Sequence, residues 1–492
     1  MVMGWCVLFW TTPKAEGQFQ TQVPDSIRVR IGLPGNNLNA LVPDGAILLT
    51  NGTEHPLPRG STSINISDRG WSISIPPPIR PELSAIANYE ANDAHHAIGH
   101  FEDRPSAERV RRILRSEFGV PTRISRSGWH ISINTSLLTT NAISLEIVSE
   151  ANSDQTITLN GQQYRGNLRL EPSDHGYLVT NDLLFEQYLY SVVGSEMPAT
   201  WAPEALKAQA VAARTYAVRQ LKPNADFDIC DSPACQAYEG LEAESPASRA
   251  AVDATRGIIA VYDGEPIDAV YSANMGGHTA ASEDVWTNRI SYLRPVNSPF
   301  DEVALDSSWA RDAYEWKVHI NRDHLLSQLQ ERGYAMSSIE AINVVRDDGH
   351  GRATTVQVLG SPKPLTLHRD EIRYALGLKS TTFTVAVLEE QWDQKIFTAP
   401  GLDKTKAAIR SPRPPYRRSI SFDTVPSAYQ LHNGSVFTRA VLIPEQILFR
   451  GRGVGHGVGL SQWGAQGMAL AGKSYEDILK HYYTGIDLTR TS

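Results

Sequence analysis

Several familiar signatures are missing from this chain. Past its N-terminal end no run is long and apolar enough to cross a bilayer as a helix. In the glycine-rich stretch 451–467 the glycines alternate with Val454, His456, Val458 and Leu460, too regularly for a phosphate-cradling nucleotide loop. No period of the solenoid type recurs. Positive charge is not in excess: 46 basic against 54 acidic residues leave a net charge of −8, which argues against nucleic acid as the main partner. Cysteine is scarce, at 3 in 492 residues.

What is present describes a soluble globular protein, 41% hydrophobic and 20% charged, and long enough for two or three units. The 10 Trp and 18 Tyr suit sugar stacking as well as core filling. Val2 to Trp10 is an apolar run too short to span a bilayer, and it lacks a basic flank. It reads as a signal segment over residues 1–20 whose start is trimmed, or as a buried strand. Residues 21–80 carry short strand patterns broken by turn signals, a small β-rich unit closed by the stiff Pro76–Glu82 breaker. Residues 85–140 follow a β-α-β-β order, with the helix at Ala107, Val110, Ile113 and Leu114. A larger body, 144–490, begins with strands and then a helix over Asn181–Gly194. A Pro-, Lys- and Arg-rich insertion interrupts it near 395–440. Mixed elements without βαβ repetition predict an α+β fold.

The segment Ser195–Ala217, SEMPATWAPEALKAQAVAARTYA, is the most informative. Leu189, Val192 and Val193 precede Glu196 by seven, four and three residues, so a continuing helix puts this carboxylate on its apolar face. A carboxyl in apolar surroundings holds its proton toward neutrality, as a general acid must. The plainer reading is a Glu at a helix boundary that caps the next helix. That helix has Thr200 as candidate N-cap, Pro203 in its first turn and a narrow stripe at Leu206, Ala210, Ala213 and Ala217. Lys207 and Arg214 share another face, either solvated or turned to a ligand.

This segment resembles the signature of the sporulation stage II protein D family (SpoIID/LytB). Three more segments resemble it in the same order: Tyr164–Pro198, Ala269–Trp286 (AVYSANMGGHTAASEDVW) and Phe449–Ile486 (FRGRGVGHGVGLSQWGAQG onward). The β-α-β-β unit also resembles sporulation-related repeats that bind peptide-free glycan, though an ordinary small α/β unit gives the same pattern.

The resemblance implies a lytic transglycosylase cleaving the MurNAc–GlcNAc β-1,4 bond of peptidoglycan strands, with Glu196 as sole acid/base and no cofactor. An ordinary glycosidase needs a second carboxylate, for which Glu283, Asp284 and Glu204 are the candidates. Implied substrate contacts are Lys207, Gln209, Arg214, Tyr271, Ser272, Asn274, Gly276, Gly277, His278, His456 and Gln462. Met275 stands where the family often has a small Ser or Cys.

Some relatives bind zinc near Cys230 and Cys235. Here those two read as a disulfide or as half of a zinc site, with Asp226, Asp228, Asp231 or His278 as further ligands. Implied partners are glycan strands and an N-acetylmuramoyl-L-alanine amidase, and the implied location is exported, in the periplasm or cell wall. Relatives that act as amidase enhancers supply the alternative, a wall-binding protein that does not need Glu196.

Overall fold

The computed structural model describes residues 22–32, 37–43, 46–50, 53–56, 60–66, 71–75, 89–91, 96–101, 112, 123–126, 129–133, 136–140, 145–148, 155–173, 176–221, 225–232, 235–387, 420–421, 429–432, 437–440 and 446–491. The export-signal segment, the Pro76–Glu82 breaker, the Ala107–Leu114 helix apart from Arg112, and the insertion near 395–440 apart from 420–421, 429–432 and 437–440 lie outside the described residues. The fold is α+β, as expected. It divides into two units, 1–268 with 487–492, and 269–486.

In the first unit, strands from the front of the chain join those of the body. Ser26–Ile31, with Ile27, Val29 and Ile31 turned inward, pairs antiparallel with Gly176–Leu184 and parallel with Ile229–Cys230. That seven-stranded sheet continues through Asn167–Ser173, Leu145–Val148, Ile47–Thr50 and Thr53–Pro56. A six-stranded sheet likewise mixes Asn37–Val42 and Gly60–Ile66 with Trp129–Ile133, Ser136–Thr140, Thr156–Leu159 and Gln162–Arg165. The sheets therefore cross the boundary drawn at 144 in the sequence. Local alternation marks a strand but not its partner, which is why the pattern alone separated them. His96–Phe101 and Arg123–Arg126 form a smaller sheet with Tyr89–Ala91 and Trp71–Ile75.

Three helices follow: α1 (Phe185–Glu196), α2 (Pro203–Gln220) and α3 (Pro246–Ala254). The helix read from Asn181 begins at Phe185 instead, because Asn181–Leu184 complete a strand. Asn181 is buried there: its amide donates to the carbonyls of Arg165 and Asn167, and it accepts from Tyr238 OH at 2.6 Å. Helix α2 is capped by Ala202 with Pro203 at its first position, so Thr200 is not the cap. From Ala205 to Val218 every α2 residue except Lys207 is buried. Small side chains let neighbours close in from all sides, which a one-face stripe does not convey.

The second unit holds the helices α4 (Arg322–Glu331), α5 (Glu371–Leu376), α6 (Gln462–Leu470) and α7 (Tyr475–Tyr482). Glu315–Asn321, Gln446–Arg452, Phe383–Val387 and Ile420–Ser421 form one sheet. Ala341–Asp347, Ala353–Leu359 and Leu365–His368 form another. Their apolar faces meet α4 and α5 in a core that includes Trp316, Leu325, Val356, Ile372 and Phe449. A short parallel pair, Tyr271–Ser272 with Leu460–Ser461, joins the two glycine-rich motifs.

Candidate active site

Glu196 is the last residue of α1. Met197 next to it is extended (φ −133°, ψ 139°), the conformation a following proline enforces, so Pro198 ends the helix immediately past the carboxylate. The stripe behind it, Leu189, Val192 and Val193, is completely buried, whereas Glu196 itself is half-buried. Its Oε1 accepts a hydrogen bond from the Ala237 amide at 3.1 Å. The segment carrying Ala237 is fixed along α1: Tyr188 OH donates to Gln236 Oε1 at 2.9 Å, and Glu239 N donates to Ser191 Oγ at 3.2 Å. Cys230 and Cys235, just before it, are joined in a disulfide with Cα atoms 5.5 Å apart. Both sulfurs are thereby committed, which corrects the zinc alternative.

On α2 the expected ligand contacts divide. Lys207 is partly exposed and paired with Glu204 at 2.7 Å on the same helix. Arg214 is buried, and its guanidinium grips Glu186 at 3.0 and 2.7 Å while also donating to the carbonyls of Ile258 and Val252. That corrects its reading as a substrate contact: the side chain ties α2 to α1 inside the fold. Gln209 is enclosed too, and neither end of its amide meets a hydrogen-bond partner among the described residues.

In the second unit most motif side chains also serve the interior. Tyr271, Ser272 and Asn274 are buried, as is Gln462 at the start of α6. Ser272 Oγ accepts from the Gly457 amide, and the Asn274 side chain spans Asp301 O and the Gly276 amide. His456 is buried, with Nδ1 accepting from Val458 N at 3.1 Å. Burial pushes this imidazole down to about 4, so it is neutral at pH 7. Ser272, Asn274 and His456 thus make contacts within the fold, and Tyr271 and Gln462 are enclosed beside them, where the resemblance implied groups facing a ligand. Gly457 has a positive φ of 84°, and a Cβ there would run into the Arg352 guanidinium, so its glycine is a packing requirement. Met275 is buried under the Gly276–Gly277 turn, its carbonyl accepting from Arg352.

Gly276, Gly277 and His278 remain half-accessible. The His278 ring stacks on His350 at 3.7 Å between centroids, and its Nδ1 lies 3.0 Å from Asn297 Oδ1. Burial and the neighbouring His350 lower the His278 pKa. Of the second-carboxylate candidates here, Glu283 is clamped by Arg294 and held down to about 2, whereas burial and Asp348 raise Asp284.

Sequence reading missed Asp301, which has no periodic pattern around it. It is fully buried and accepts from Ser298 Oγ at 2.8 Å and from the Gly277 amide at 3.0 Å, so it anchors the Gly-Gly turn. The Ser-x-x-Asp spacing from Ser298 was the available signal.

Residues 173–262, which include α1, Glu196 and α2, match the family described as "Stage II sporulation protein". Residues 300–402 match a domain of unknown function (DUF8618). The chain is 30% identical over 338 residues to an uncharacterized protein of Brachyspira hyodysenteriae, covering 67% of this chain and 73% of that one. It is 30% identical over 324 residues to stage II sporulation protein D of Bacillus amyloliquefaciens (62% and 74% covered). With the amidase enhancer of Bacillus subtilis it shares 29% identity over 354 residues (68% and 45% covered). The chain belongs to the stage II sporulation protein D family.

Proposed function

We propose that this protein acts on the bacterial cell wall as a lytic transglycosylase, cleaving the β-1,4 bond between N-acetylmuramic acid and N-acetylglucosamine in peptide-stripped strands. The observation that carries this is Glu196: an accessible carboxylate at the abrupt end of a buried helix, oriented by the Ala237 amide. The carboxyl gives its proton to the glycosidic oxygen as the C1–O bond breaks. It then takes the proton of the C6 hydroxyl as that oxygen closes on C1, leaving a 1,6-anhydro end. No water and no second carboxylate enter the balance, unlike hydrolysis by a carboxyl pair. The proposed setting is outside the cytoplasm, where the strands are, with an amidase that strips stem peptides as a working partner.

The second reading is a non-catalytic enhancer of an amidase. It is favoured by the name of the Bacillus subtilis relative. The test is digestion of peptide-free glycan strands, read by mass spectrometry for anhydro-muramic ends. Products from the parent and none from Glu196→Gln support the enzyme. A parent that releases none sinks it.

A further inference from the structure

Ala237, whose amide holds Glu196 Oε1, lies in a stretch from Gln236 to Glu239 that belongs to no helix or strand. Side-chain contacts, not a backbone ladder, therefore decide where that amide sits. Gln236, the residue just before it, is completely buried between two helices. Its Oε1 accepts from Tyr188 OH on α1 at 2.9 Å, and its Nε2 donates to the Ala213 carbonyl on α2 at 3.4 Å. A primary amide suits both ends, because it carries an acceptor and a donor at once. Tyr188 is also completely buried, its ring 5.4 Å from that of Tyr238 and 6.3 Å from that of Phe185, which limits how its hydroxyl can move. It stands two turns before Glu196, roughly 12 Å along the axis of α1. One helix thus carries the carboxylate at its end and, further back, the hydroxyl that anchors the carboxylate's hydrogen-bond donor.

We infer that Gln236 is a positioning residue: held by Tyr188 and Ala213, it sets where the Ala237 amide meets Glu196 and so aims the carboxylate. This role rests on the proposed acid/base reading of Glu196. The contacts form a closed circuit. It runs from Glu196 to Ala237 by a hydrogen bond, back one residue to Gln236, across to Tyr188 by a second hydrogen bond, and along α1 to Glu196. Apart from those two hydrogen bonds every link is covalent or helical, so a shift of Gln236 passes directly to the amide. Misplacing a reacting group by about 1 Å costs on the order of a hundredfold in rate. On the far side of Ala237, Tyr238 and Glu239 keep their own ties to Asn181 and Ser191. Losing the Gln236 tie therefore changes the aim of the carboxylate before it unfolds the segment.

The test separates aim from stability in the full chain. Tyr188→Phe takes a donor from a buried oxygen, so it should lower both stability and turnover. The double variant Tyr188→Phe/Gln236→Met removes both polar partners, and its stability should return toward the parent, since such paired removal is nearly neutral. Its turnover on peptide-free strands should stay about tenfold or more below the parent, with KM little changed. Gln236→Glu is the conservative check. Its protonated carboxyl reproduces both hydrogen bonds, whereas the ionised form offers no donor to the Ala213 carbonyl, so its turnover relative to the parent should fall as pH rises. Turnover that recovers with stability in the double variant, or Gln236→Glu matching the parent at every pH, overturns the inference. Hydrogen exchange of the 236–239 stretch, read by mass spectrometry, follows the anchor without reference to catalysis. If exchange quickens in the double variant yet the parent releases no anhydro product, the acid/base reading fails while the anchor stands. If the parent releases product and the double variant turns over equally fast, the role of Gln236 fails alone.

Discussion

Ser461 Oγ donates to Asp301 Oδ1 at 2.5 Å across 160 residues of sequence, and the same serine caps α6 by accepting from the Gly464 amide at 3.1 Å. Asp301 Oδ2 meanwhile takes the Gly277 amide. A single buried carboxylate therefore fixes both the Gly-Gly turn and the start of α6. The hydrogen bonds to it come from hydroxyls and backbone amides, and no ion pair to it is found among the described residues.

Asp301 and His456 should give this protein opposing pH dependences. Burial pushes Asp301 up to about 6 from 3.8, so between pH 4 and 6 the folded chain keeps a proton that the unfolded chain has released. Its contribution to stability falls as pH rises through that window. His456 is pushed down from 6.5 to about 4, so the unfolded chain gains a proton that the folded chain refuses. Its contribution falls as pH drops from 6.5 to 4. Each difference is worth on the order of 3 kcal/mol at full extent. Urea denaturation from pH 6.5 to 4 should show Asp301→Asn losing stability relative to the parent as pH drops, and His456→Gln gaining it. Curves that stay parallel to the parent would remove both assignments.

Arg214 separates a structural from a ligand-contacting role. Removing one partner of a buried ion pair strands the other, at a cost of about 3–5 kcal/mol. Arg214→Ala should lose stability on that scale. Arg214→Lys should recover only part of it, since an ammonium cannot reproduce the two-pronged grip on Glu186. Chemical denaturation measures this directly. Full stability in Arg214→Ala, with loss confined to glycan binding, would return the residue to the substrate-contacting set.

How far the sequence reaches depends on what each pattern encodes. The Leu189, Val192 and Val193 spacing located the buried face of α1, because helix period is a local property; its end, read at Gly194, falls at Glu196 just before Pro198. Whether a polar side chain in a motif faces solvent or the interior is not local. Ser272, Asn274 and His456 resemble ligand contacts in the sequence, yet their partners, Gly457, Asp301 and Val458, complete backbone crossings inside the second unit. Arg214 was misread for the same reason: periodicity gives its face of α2 but not Glu186 waiting on α1. The pairing of Ser26–Ile31 with Gly176–Leu184 spans too much chain for any local signal.

Gln209 should be replaceable at a gain. A wholly buried amide with no hydrogen-bond partner among the described residues forfeits its hydration without return, at roughly 1–3 kcal/mol. Gln209→Met keeps length and approximate volume, so it should raise the midpoint of unfolding. A stability loss instead would mean the amide is satisfied in solution. Unchanged stability with impaired glycan cleavage would mean that it serves a ligand.

The disulfide should support the position of Glu196 more than the fold as a whole. Closing so short a loop restricts few conformations of the unfolded chain, so the chain-entropy model assigns it only about 2 kcal/mol. Its placement matters more, because Cys235 is followed directly by Gln236 and by Ala237, whose amide holds Glu196 Oε1. Gln236 and Tyr238 anchor that segment independently through Tyr188 and Asn181, so reduction should leave the chain folded. The double variant Cys230→Ser/Cys235→Ser should accordingly melt a few degrees lower. If Glu196 is the acid/base, turnover on peptide-free strands should fall more than the affinity for them. Thiol titration should find Cys230 and Cys235 unreactive until a reductant is added. Free thiols at Cys230 and Cys235 in the untreated protein, or equal turnover with and without the bond, would detach the disulfide from the carboxylate it adjoins.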